Sequence, residues 1–141
     1  MPQSMEPATF DAFLDSKPGW IVLTTIDGDG FPHSVPLGYF RDGDRVYCGV
    51  RDHTQKIRNI EKNPKVSLMV EAGSTMQDIK GAMIQGVATI HREPESVLRL
   101  MRLGASARGV AEADLPTAAN PGSAFIEVAV HRRISWDYGA P

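Results

Sequence analysis

Cysteine is nearly missing: Cys48 is the one example in 141 residues, so no internal disulfide staples the chain. Its apolar surroundings mark it as a small core residue rather than a catalytic thiol. The other absences restrict function. No G-x-G-x-x-G or Walker A sequence occurs, so neither a Rossmann domain nor a P-loop enzyme is supported. The four histidines, His33, His53, His91 and His131, are scattered without metal-ligand spacing, and no nucleophile elbow marks a serine. Asp27 and Asp29, or Asp42 and Asp44, alternate with glycine as turn residues do, and make no acid–base pair. The D-x-D-G fragment at 27–30 lacks the next calcium ligand, because Phe31 stands there. Catalytic residues are therefore not assigned. A net charge of -2 argues against a nucleic-acid partner. No apolar run approaches a membrane span, and MPQSMEP has neither a basic start nor an apolar h-region, so no membrane partner and a cytoplasmic location are expected.

What is present is ordinary globular material, 42% hydrophobic and 23% charged, enough for one domain spanning 1–141 with a real core. Residues 7–16 suggest a short amphipathic helix with Phe10, Phe13 and Leu14 on one side, broken by Lys17-Pro18-Gly19. Trp20–Ile26 is apolar at both parities, as a strand buried on two sides would be. Asp27–Gly30 turns the chain into a second strand from about Phe31 to Phe40. There Pro32, Ser34, Pro36 and Gly38 share one small face, leaving room for something flat against the backbone. Two prolines of equal parity leave one edge without continuous pairing: either the sheet opens at a margin or at a gap in a barrel, or this is an ordinary edge strand with protective prolines. Strands follow at Arg45–Val50, Lys65–Val70, Ile79–His91, Ala124–Val130 and Arg133–Trp136, with a break at His131-Arg132 and a bulge near Gly81 or Gly86. A helix opens at Glu93-Pro94 and stops at Gly104, and 105–122 is part helix, part loop. Hairpins dominate, which suits an antiparallel barrel or sheet over a doubly wound parallel one.

The stretch Arg51–Val70 carries the chemistry. Asp52 or Thr54 can cap a short helix, Gln55 stands at a capping-box position, Ile57 and Ile60 form its apolar stripe, and Asn63-Pro64 ends it. Lys56 and Arg58 lie beside the positive end of the helix dipole, where a cation is disfavoured by about 0.3–1 kcal/mol. Backbone N–H groups at a helix start plus two cations make a phosphate cradle; a solvated basic helix is the plainer alternative. A cradle, a flat strand face and no acid–base set suit a cofactor that brings its own chemistry.

The order TTIDGDGFPHSVPLGYFRDGDRVYCGV, HTQKIRNIEKNPKVSLMV and MIQGVATI resembles the flavin-binding split-barrel family typified by pyridoxamine 5'-phosphate oxidase, most of all its short flavin- or deazaflavin-dependent branch. The resemblance runs from Trp20 to Ile90, with an echo at AFIEVAVHRRISW. It implies a mainly β fold: a six-stranded antiparallel Greek-key split β-barrel with short flanking helices, homodimeric, with the cofactor at the subunit interface. It places Ser34, Val35 and Pro36 along the ring system and Gly49 and Val50 at the strand end that meets it. Thr54, Gln55 and Lys56 fall on the phosphate loop, with Arg58 or Arg51 as a second cation. Where relatives carry two consecutive basic residues, only Lys56 is charged here, which leaves both FMN and F420 open. Gly81 stands where a ring-contacting glutamine often begins the long strand. The sequence also lacks an extended arginine-bearing C-terminus, so pyridoxamine phosphate oxidation itself is not expected. The resemblance implies an oxidoreductase passing hydride or electrons between FMN or F420 and a small planar substrate. The alternative is a non-catalytic flavin or haem binding protein. Trp136 is either a core aromatic or a neighbour of the partner's ring.

Overall fold

The computed structural model describes residues 2–141; Met1, which the single-domain reading includes, lies outside the described residues. The chain runs α1 (Pro7–Asp15), β1 (Ile21–Ile26), β2 (Pro32–Leu37), β3 (Phe40–Asp42), β4 (Arg45–Arg51), α2 (Gln55–Lys62), β5 (Lys65–Ala72), β6 (Lys80–His91), α3 (Pro94–Ala107), a 3-10 turn (Glu112–Asp114) and β7 (Ser123–Asp137). The strands form one antiparallel sheet in the order β2-β1-β5-β6-β7-β4-β3. β2 and β3 are its edges, and among the described residues no ladder joins them, so the rolled sheet stays split.

The mainly β split-barrel expectation holds, with seven strands rather than six. The second strand ends at Leu37, and Gly38-Tyr39 separates it from the three-residue β3. The expected break at His131-Arg132 does not occur: β7 runs unbroken from Ser123 to Asp137. The ladder is irregular there all the same: Gln85 pairs with Arg132 and Gly86 with Val130, so His131 is the extra, unpaired residue of a bulge on β7. A Cβ at Gly86 would collide with the Ala129 carbonyl, which is why glycine stands there.

Alternation buries one face of each strand: Leu23, Val46, Cys48, Leu68, Ile84, Ile126 and Val128 meet inside the roll. α1 covers one end with Phe10, Phe13 and Leu14, as its pattern predicts. α2 adds Ile57 and Ile60 to this core. α3 packs outside it, where Val97 and Leu100 meet Phe40, Tyr47 and Phe125. Gly104 does not stop α3, which continues to Ala107. It is buried against the Phe40 ring, 2.8 Å from where a Cβ would stand, so its small size serves packing. No helix among the described residues is long and apolar enough to cross a membrane.

Candidate functional site

The split is bounded by two incompletely paired edges. β2 pairs only with β1, from Ile26↔Pro32 to Ile21↔Leu37. β4 pairs with β7 along its whole length, but with β3 only from Arg45 to Tyr47, so its last residues present a free edge. β2 and β4 approach each other across this gap. Proline has no N–H, so ladder bonds to β1 fall on His33, Val35 and Leu37, and the even-numbered backbone groups point to the open edge. Pro32, Ser34, Pro36 and Gly38 are exposed, as the parity of the sequence predicts, and the Ser34 hydroxyl lies 2.8 Å from that of Thr24. Val35 and Val50 turn their side chains into the core, so they offer the gap only backbone. Gly49 lies on the opposite face, with the Phe125 ring 3.3 Å from where a Cβ would stand.

β4 leads directly to the start of α2. Thr54 occupies the N-cap position but caps nothing; its hydroxyl donates to the Arg51 carbonyl at 3.1 Å. Asp52 does not cap either: Arg92 holds it at 3.0 and 3.1 Å, and it accepts the His53 N–H. Those guanidinium hydrogen bonds, foremost, keep the Asp52 carboxyl below the usual carboxylate range. The expected capping box is also absent, because Gln55 donates to Asn59 at 2.7 Å instead of reaching back. The first N–H groups of α2 are therefore left without a side-chain acceptor. Asn59 passes the chain of bonds to buried Thr25 at 3.0 Å, fixing the helix on β1.

The cations of this loop behave differently. Helical spacing alone sends Arg58 away from the helix start, yet its guanidinium folds back to the His53 carbonyl at 2.7 Å and to Gln55 at 3.0 Å. Arg51 is exposed, on the face of β4 shared with Gly49. Lys56 is half-buried and takes no part in the bonds that tie Gln55, Arg58 and Asn59 together. It stands near Cys48, whose thiol burial pushes up to about 12 and Lys56 pulls back only weakly. Cys48 is thus an inert core thiol at neutral pH.

Beside Gly38 and Gly49 opens a cavity of about 610 Å³, walled by α3, β3, β4 and the segment after α3. Its lining was not legible from local patterns. Lys17 read as a helix breaker and Arg108 fell in an Ala- and Gly-rich stretch, but both line the cavity with Trp20, Tyr47 and Phe125. The signal was available only in pieces far apart along the chain. Trp136 is half-buried against Gly81, leaving no space there for a larger residue. A glutamine at 81 is incompatible with that indole position.

The histidines remain dispersed, and no cluster among the described residues could hold a metal ion. His91 pairs with Glu127 at 2.9 Å. Across solved structures, the fold is similar to that of a conserved hypothetical protein from Mycobacterium tuberculosis, at 25% identity and TM-score 0.81, covering 97% of this chain and 89% of that one. It is also similar to an F420 reductase, at 19% identity and TM-score 0.63, covering 83% and 90%. A haem storage protein from Vibrio cholerae shares the fold at 17% identity and TM-score 0.66, covering 95% and 96%. No curated protein sequence matches the chain. The family described as pyridoxamine 5'-phosphate oxidase matches residues 7–137, nearly the whole fold just described, and the chain belongs to that flavin-binding split-barrel family.

Proposed function

We propose that the protein is an oxidoreductase that binds FMN, or alternatively F420, and passes hydride or electrons between it and a small planar substrate. The observation that carries this reading is the meeting of two complementary features at the split. One is an exposed backbone edge with small side chains, at Ser34, Pro36 and Gly49. The other is an uncapped helix start beside Lys56, which takes no part in the Gln55–Arg58–Asn59 bonds. A phosphate at that start accepts hydrogen bonds from the free N–H groups of α2 and the Lys56 ammonium, and from the Thr54 hydroxyl once it turns from the Arg51 carbonyl. Gln55 and Arg58 brace the loop through His53, and Arg58 keeps N–H groups free to face the anion. The backbone of Ser34, Val35 and Pro36, with Gly49 and Val50, takes the ring system. The bound group supplies the redox chemistry, which agrees with the absence of an acid–base set.

The outer face of β1, β5 and β6 supports a homodimer. Val22, Met69 and Met83 are only half-buried there, and Val87 is 46% exposed, an apolar row suited to a second copy that would close the cofactor site. A cytoplasmic location belongs to the same proposal. The test is the visible spectrum of protein exposed to each cofactor and then desalted. Retention of a two-band flavin spectrum indicates FMN, a single deazaflavin band indicates F420, and retention of neither overturns the reading. The fold shared with a haem storage protein favours one other reading, a non-catalytic flavin or haem carrier. That protein would hold its ligand through the same desalting but show no turnover with reductants and acceptors.

A further inference from the structure

We infer that the cavity beside Gly38 and Gly49 takes a planar aromatic anion, its rings among the aromatic side chains and its charge between Lys17 and Arg108. Half of the chain's aromatic residues line this one cavity: Trp20, Tyr39, Phe40, Tyr47 and Phe125. Phe40 and Tyr47 stack at 5.1 Å with an interplanar angle of 18°, and Phe125 meets Phe40 edge-on at 6.3 Å. Trp20 is left 71% exposed at the rim, an apolar surface with nothing on it. The volume, about 610 Å³, lies within the range of about 300–1,000 Å³ that small-molecule sites occupy.

The charged lining has one sign. Among the described residues that line it, Lys17 and Arg108 are the charged ones, and none is a carboxylate. Burial, then the nearby Arg108, holds the Lys17 ammonium below the usual lysine range; Asp15, which opposes this, is engaged by Arg41 at 2.6 and 2.9 Å. Two cations lining one apolar space repel each other, and an anionic ligand relieves that repulsion. Lys17 is also held at φ 51°, the left-handed conformation after α1 where glycine is the usual choice. The side chain is kept there despite the backbone strain, and its Nζ is aimed by the Tyr39 carbonyl at 2.6 Å. Calling this anion the substrate rests on the proposed function, because the cavity adjoins the ring site only through Gly38 and Gly49.

The test is calorimetric titration of the full chain with naphthalene-2-carboxylate and with the neutral naphthalene-2-carboxamide. The carboxylate is expected to bind at least about tenfold more tightly, the scale of one charge-assisted contact. That preference is expected to disappear in Lys17→Gly, which suits the backbone at 17, and in Arg108→Gln at an exposed position. Equal affinity for the two probes, or a preference that survives both substitutions, overturns the inference. Retention of FMN and of F420 is measured on the same samples. Retention of neither FMN nor F420 with the preference intact breaks the oxidoreductase reading alone, and the reverse result breaks this inference alone.

Discussion

The β6–β7 pair and the β2 strand solve opposite problems with the same backbone. β6 and β7 pair from Lys80↔Asp137 to His91↔Phe125, each with a further strand along part of its other edge, and absorb one extra residue, His131, in a bulge. β2 is covered on one edge and spends two of its six positions on proline. The first arrangement pairs all but one residue of β7 between Phe125 and Asp137 with β6 and holds the roll together. The second leaves backbone groups unpaired on purpose, which costs stability unless water or a ligand satisfies them. The difference teaches where to look for function in this fold: at the strand that the sheet declines to cover.

The largest effect should come from the covered pair. Gly86→Val drives a branched side chain into the Ala129 carbonyl and the Val128 side chain, and should cost at least about 3 kcal/mol by urea unfolding. If stability holds, the bulge is not the rigid feature described. Next comes the brace of the open side. Arg58→Ala frees the His53 carbonyl and Gln55 but removes no core contact, so cofactor affinity should fall a few-fold, about 1 kcal/mol, with the melting temperature little changed. An unfolded variant would place Arg58 with the scaffold instead.

The Asp52–Arg92 pair joins the two sides, tying the loop before α2 to the end of β6. Asp52 titrates lower folded than unfolded, so its stabilisation is full above the ordinary carboxylate range near pH ~4 and fades as pH falls through the lowered value. Asp52→Asn should therefore lower the melting temperature slightly at pH 7 and leave it unchanged in strong acid; a constant difference at all pH values would refute the linkage. The smallest effect is expected at the open edge. Pro36→Ala restores an N–H that faces no ladder partner, and should change stability by under about 1 kcal/mol. A larger loss would mean that the proline ring packs within the fold.

Much of this was legible in the residues because it depends on period and turn chemistry. The inward set of α1, the small face of β2, the bulge at Gly86 and the Asp27 turn, where the carboxylate accepts N–H groups of Asp29 and Phe31 at 2.9 Å, all follow local rules. Tertiary partners overrode the local rules elsewhere. Asp52 was a plausible cap until Arg92, forty residues away, claimed it. Gly104 was a plausible stop until Phe40 needed its missing side chain. His131-Arg132 was a plausible break between strands, but β6 offered a ladder long enough to carry β7 through it, with His131 left as the bulged residue. The aromatic cavity was illegible for the same reason: Trp20, Tyr47, Arg108 and Phe125 converge only once the sheet has rolled. Lys56 stood out in the sequence as a cation at the wrong end of a helix, and the fold leaves it outside its neighbours' network.

The proposed phosphate site rests on that residue, and titration with FMN of the wild-type chain and Lys56→Ala tests it most directly. The dissociation constant should rise by about ten- to a hundredfold, the scale of a lost charge-assisted contact, with circular dichroism and melting temperature unchanged. Equal FMN affinity in the two proteins would contradict a phosphate site at the start of α2.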